Sequence, residues 1–237
     1  SPGATSISNN QQISIPFTTI EQFQKDAEQF NVSDPSKWQE RVVLLPNVLC
    51  CPTALLNKIG YYDTRFYRGE FADDDLSFRI RRAGYKLIYC ADTVIHHYGS
   101  ITTVTDHQTN SLQEGKETFY KKYGLDAWSD ARINSLYQNF LYDGFCQADA
   151  ILGIDVKCGA TFLQIKNEIW RRFGIHTAAF AATTDEKYLH DLQTITSNAW
   201  MIDQLGHLPD TVNCKFNLIY IEKSLDCYSE DLETIFL

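Results

Sequence analysis

Gly69-Glu-Phe-Ala-Asp-Asp-Asp-Leu-Ser-Phe-Arg-Ile-Arg-Arg-Ala-Gly84 reads as a turn, a helix and a stop. The spacing predicts a helix over 76–83, with Asp73, Asp74 and Asp75 in its first turn and Gly84 ending it. Short strands are expected over 86–90 and 93–96, the second closing on the pair His96-His97. Free backbone N–H groups and the macrodipole of a first turn favour carboxylates, which is the plain explanation of the three acids. Asp75 and Arg79 also stand four apart, an ordinary surface pair worth a few tenths of a kcal/mol. One aspartate is enough for a cap, however, and three adjacent carboxylates repel one another. The other two call for a cation or a substrate hydroxyl, and the residues leave both readings open. Neutral imidazole suits Mn-like or Zn-like ions. Neighbouring strand residues point to opposite faces, so at most one of His96 and His97 can join a given site. Taken alone, the pair reads as one buried, hydrogen-bonded histidine and one surface histidine.

Before this stretch, Ile20, Phe23, Ala27 and Phe30 recur at helical spacing over 18–30, and the apolar run 42–51 is expected to be a buried strand. Pro52-Thr53 opens a short helix with Leu55, Leu56 and Ile59 inward and Gly60 as its terminator. After it, a helix is expected over 111–123, stopped by Gly124. The segment 126–149 is irregular and aromatic, with a domain boundary near Cys146, giving units 1–145 and 146–237. Beyond the boundary the order is strand 148–156, helix 162–173, strand 177–182, helix 185–199 and strand 216–221. Such alternation spells an α/β fold with a parallel layer.

The 237 residues include 44% hydrophobic and 13% aromatic side chains, ample for a packed core. A net charge of -9 argues against nucleic acid or an anionic membrane as partner, because phosphates are repelled. No apolar run approaches the roughly 20 residues of a transmembrane helix, and no signal peptide is expected. The seven cysteines are irregularly spaced, odd in number and free of any Cys-x-x-Cys pair, so they are expected to be reduced, mostly buried and in a cytoplasmic protein. The sequon Asn31-Val32-Ser33 is then a chance match. The start at Ser1 and the apolar end at Leu237 read as those of a piece of a longer protein. Trp38, Trp128, Trp170 and Trp200 are scattered and read as packing. His176, His190 and His207 lack ligand-like spacing.

Several motifs in order resemble the C-terminal half of a family 2, GT-A-fold bacterial glycosyltransferase of the surface-polysaccharide kind. They are Leu56-Asn-Lys-Ile-Gly-Tyr-Tyr-Asp-Thr-Arg-Phe66, the acidic run from Gly69 to Arg79, Ala83-Gly-Tyr-Lys-Leu87, the stretch from Asp92 to Ser100, and Phe119-Tyr-Lys-Lys-Tyr-Gly124. The resemblance implies a partial GT-A-like mixed sheet over the first unit. It also implies transfer of a sugar from a nucleotide-sugar donor to a glycan acceptor hydroxyl. By position Asp73 is the general base, Asp74 and Asp75 orient it or contact the acceptor, and Arg79 anchors the acidic segment. It further implies a divalent metal, Mn or Mg, with His96 as first and His97 as second choice of ligand.

The sequence also departs from that family. Its nucleotide-binding βαβ half with an Asp-x-Asp is expected about a hundred residues upstream and has no counterpart here. Ala72 stands where a glutamate usually precedes the base, and Pro46-Asn47-Val48 replaces a glycine loop. The chain alone is therefore expected to be inactive, its alternative being a catalytically silent interaction module. In the second unit, the run from Ile151 to Leu163 resembles the first motif of Rossmann-like, S-adenosylmethionine-dependent methyltransferases. Only Gly159 of the motif's glycines survives, with Lys157 and Thr161 in the places of others and Asn217 in place of an acid. A half-Rossmann-like layer without S-adenosylmethionine is the expectation. Exposed half-domain faces make a homo-oligomer plausible.

Overall fold

The computed structural model describes residues 15–45, 48–67, 69–96, 110–134, 149–212 and 214–229. His97, the Pro46-Asn47 pair and the proposed boundary at Cys146 lie outside them. The chain is α/β, with a four-stranded parallel sheet and a two-stranded antiparallel pair.

The first part runs α1 (Ile20–Phe30), β1 (Trp38–Arg41), α2 (Thr53–Ile59), α3 (Ala72–Arg82), β2 (Leu87–Cys90), α4 (Ser111–Tyr123) and the short α5 (Ala127–Asp130). Thr19 caps α1 by accepting from the Gln22 amide. Gly60, Gly84 and Gly124 take left-handed φ values of 86°, 88° and 69°, as helix terminators do. β1 and β2 pair antiparallel, Trp38 opposite Cys90 and Arg41 opposite Leu87.

Of the apolar run expected as a strand over 42–51, the described residues 42–45 and 48–51 form none. Val42 and Val43 are buried, but their neighbourhood bonds to α3 in place of a ladder. The Val42 carbonyl accepts from Arg81 Nε at 2.8 Å. The Leu44 amide donates to Ser77 Oγ, whose hydroxyl donates back to the Leu44 carbonyl. Nor is 93–96 a strand. Asn31 Oδ1 accepts from the Val94 amide at 2.6 Å and its Nδ2 donates to the Val94 carbonyl, occupying the groups a strand would pair.

The second part runs β3 (Ala150–Ile154), α6 (Ala160–Phe173), β4 (Ala178–Thr183), α7 (Glu186–Gln193), β5 (Asn198–Met201), the short α8 (Leu208–Thr211) and β6 (Leu218–Ile221). All strand pairs are parallel, in the order β5-β4-β3-β6. The first strand of the layer is thus central and the order reverses between β3 and β6, as in doubly wound sheets. The helix expected over 185–199 ends at Gln193, because Asn198-Ala-Trp-Met201 instead pairs with Phe180–Thr183 as β5.

One buried cluster takes in Val42, Phe71, Phe78 and Phe119 from the first part and Ile151, Phe162, Ile169 and Leu192 from the second. Two polar joints cross the same seam. Asn167 on α6 donates to the Glu40 carbonyl at 2.8 Å and accepts its amide at 3.2 Å, fixing α6 on β1. Arg81 and Arg82 on α3 both reach Asp191 on α7, at 3.1 and 2.7 Å. Of the six described cysteines only Cys158 is buried, and Cys50, Cys90, Cys214 and Cys227 are exposed. The expectation of mostly buried thiols is corrected there. No helix among the described residues is long and apolar enough to cross a membrane.

Candidate functional site

Helix α3 carries the site at one end and its anchor at the other. Phe71, with φ 63°, turns the chain into the helix and offers no side-chain cap. Its ring is buried between Phe119, at 5.8 Å, and Trp128, stacked at 4.8 Å and 16°. Helix α4 lies close over the preceding turn. A Cβ on Gly115 would meet the Glu70 carbonyl oxygen at 2.7 Å, so only glycine allows this approach.

Successive positions of the helix give the three acids different surroundings. Asp75 is fully buried and saturated with donors: Arg79 Nε at 2.8 Å, Lys122 Nζ at 2.5 Å and the Tyr123 hydroxyl at 2.7 Å. Lys122 also binds Asp63 at 2.8 Å, and Arg79 donates to the Ile59 carbonyl at 2.8 Å. Arg65 and then Lys122 hold Asp63 well below the usual carboxylate range. Burial and the Asp75 acceptor push the Tyr123 phenol up. Asp75 is thereby a knot tying α3 to α4 and to the turn before Arg65, with Arg79 as one of its strands.

Asp74 is 5% exposed and meets no cation among these groups. Burial raises it to about 7, opposed by a hydrogen bond from Trp128 and reinforced by the charge of Asp73. Asp73 is half-buried, and burial raises it to about 6 against a hydrogen bond from Tyr62. Tyr62 and Trp128, which pull against burial at Asp73 and Asp74, are 50% and 51% exposed. Sequence reading missed both rings. Tyr62 was legible only as part of the turn before Arg65, and nothing local links Trp128 to α3.

His96 lies elsewhere in character. Its ring packs edge-on against Phe17 at 4.8 Å and Phe23 at 5.5 Å, holding α1 against the segment after β2. Among the described residues no three His, Cys, Asp or Glu side chains converge as a metal site, and His97 lies outside them. Asp92, in the same motif, accepts the Asp34 amide at 2.7 Å and Trp38 Nε1 at 2.8 Å and is buried in a structural role.

At the crevice between β3 and β6, Asp155, Lys157 and Gly159 have φ of 48°, 51° and 80°. Lys157 thus adopts the backbone region that glycine favours, and its Nζ donates to the Ser129 carbonyl at 2.9 Å. Space beside Gly159 is filled, since a Cβ there would lie 2.4 Å from Ile195 Cδ1. Asp155 accepts from the Thr184 amide at 2.6 Å and the Tyr228 hydroxyl at 2.7 Å. Burial raises Glu222, at the end of β6, to about 7, against the pull of Lys157.

A cavity of about 280 Å³ between Phe66 and α4, lined by Arg65, Tyr67, Glu70, Glu114, Glu117 and Lys121 among others, does not include the three acids. No protein-family model matches the chain, and no curated protein or solved structure matches it.

Proposed function

We propose that the chain is the acceptor-side part of a family 2, GT-A-type glycosyltransferase acting in surface-polysaccharide synthesis, with Asp73 as its general base. The observation that supports this most is the Asp73 carboxyl, half-buried at the start of α3 and raised to about 6. A general base works best when it is ionised at the working pH yet retains affinity for a proton, and a value near 6 satisfies both. In the step, the acceptor hydroxyl proton passes to Asp73 as the acceptor oxygen bonds to the sugar C1. The bond from C1 to the donor diphosphate breaks, and the nucleoside diphosphate leaves. Asp74 adjoins the base, and Asp75, through Arg79 and Lys122, sets the orientation of the helix that presents it.

The nucleotide-sugar belongs to a donor half that this chain does not supply, so the chain alone is inactive. The resemblance implies a divalent cation with His96 or His97 among its ligands. The test is transfer by the native-length protein from a panel of nucleotide-sugars, compared with its Asp73→Asn variant. Loss of about two to four decades in rate supports the assignment, and undiminished transfer removes it.

A second reading, a catalytically silent interaction module, draws on Ala72 in place of the glutamate and on the filled space beside Gly159. It expects no transfer from any donor at any protein length.

A further inference from the structure

An unbroken chain of side-chain contacts runs from the parallel layer to the acid knot at the start of α3. It begins at Asp191 on α7, which is fully buried and takes Arg82 side-on, Nε to Oδ1 at 3.2 Å and Nη2 to Oδ2 at 2.7 Å. Gripped at two atoms, the planar guanidinium has a fixed orientation. It lies over the Tyr123 ring, 4.8 Å from the centroid. That ring also packs on Phe119 at 4.6 Å and on Phe78 at 5.4 Å. Its hydroxyl donates to Asp75 Oδ1 at 2.7 Å, the oxygen that Lys122 also holds. Asp75 adjoins Asp73 and Asp74 in the first turn of α3. At its other end the chain reaches the head of α6. Arg81 Nη1 donates to Thr194 Oγ1 at 2.6 Å, and that hydroxyl donates to the Asp191 carbonyl at 2.6 Å. Leu192 and Ile195, from the same turn, fill the space beside Gly159, where a Cβ would lie 3.2 and 2.4 Å from them. The head of α6 and the far end of α3 thus share one turn of α7.

One guanidinium is enough to neutralise Asp191, and Arg81, 1% exposed, supplies it at 3.1 Å. Arg82 adds a second cation to a pair already balanced, so charge pairing does not explain its place over Tyr123. We propose that Arg82 and Tyr123 are positioning residues through which the parallel layer, by way of Asp191, sets the acidic first turn of α3. A displacement of α7 then reaches Asp73 and its neighbours through the guanidinium, the ring and the phenol hydroxyl. The coupling stands without the transferase reading, and its consequence for Asp73 as general base rests on that reading.

Carboxyl-carbon NMR titration of Asp73 and Asp74 in the 237-residue protein, with signals assigned by single Asp→Asn variants, tests this. Burial raises both acids, so their midpoints report how the first turn sits. Arg82→Lys keeps the charge and loses the planar fork. With Tyr123 in place it should change the proton affinity of Asp73 or Asp74 about fivefold or more. In a Tyr123→Phe background, which keeps the ring and loses the hydroxyl, the same substitution should change it by less than about twofold. Arg82→Gln, whose lost charge acts through space alike in both backgrounds, completes the cycle if the lysine variant misfolds. No change with Tyr123 in place, or an equal change in both backgrounds, overturns the proposal. The titration needs no transfer, so the two claims fail separately. Asp73-dependent transfer without this coupling removes the coupling alone, and the coupling in a protein that never transfers removes the transferase reading alone.

Discussion

At the residue scale, Asp74 sets a pH dependence that Asp73 shares in direction and Asp63 opposes. An unfolded aspartate titrates near 4, whereas burial holds Asp74 at about 7 in the fold. Between those values the folded state binds more protons than the unfolded one, so stability falls as pH rises from about 4 to about 7. Asp63 acts oppositely: its lowered value contributes stability above about 4 that is lost as pH falls further. Asp74→Asn, which keeps an acceptor for Trp128, should therefore stabilise the protein on the order of 2–4 kcal/mol at pH 8 and little at pH 4. Urea unfolding at the two pH values measures this, and an equal effect at both would contradict it. In a transferring protein, Asp73 should impose an acid limb on kcat/KM, with the rate falling as pH drops below about 6. That three acids begin a helix was legible in the sequence. Their different fates were not, because they depend on Lys122, Tyr123, Trp128 and Tyr62, which tertiary packing brings in.

At the element scale, α3 is fixed at its far end by Arg81 and Arg82 on Asp191. Arg81 is 1% exposed and Asp191 fully buried, so Asp191→Ala would leave a buried guanidinium unmatched. A cost of about 3–5 kcal/mol is expected in denaturant midpoints, and a change within experimental error would show that the pair does not bear on stability. Gly159 and Gly84 both have positive φ, but an added Cβ meets open space at Gly84 and lies 2.4 Å from Ile195 Cδ1 at Gly159. Gly84→Ala should cost about 1–2 kcal/mol from backbone strain alone. Gly159→Ala should cost roughly 1–3 kcal/mol more from overpacking. Helices α2, α3 and α4 were legible because Gly60, Gly84 and Gly124 stop them and their spacing is regular. The start of the run 42–51 misled because β-prone residues such as Val42 and Leu44 also suit an irregular segment whose carbonyls are claimed by Arg81 and Ser77. β5 was hidden because Asn198-Ala-Trp-Met201 has little strand character apart from its pairing with β4.

At the scale of the whole molecule, the buried cluster continues from the first part into the parallel layer, and charged joints cross the same seam. The chain should accordingly unfold in one transition, with calorimetric and van't Hoff enthalpies equal. Two resolved transitions would mean that the halves fold separately. The alternation of strand and helix announced the parallel layer, whereas its tie to α3 lay in a contact between residues far apart in sequence. The acceptor-side reading is tested most directly by glycosyl transfer from nucleotide-sugars by the native-length protein and its Asp73→Asn variant. Transfer that falls by about two to four decades in the variant would bear it out. Transfer at the same rate in both, or none from any donor, would contradict it.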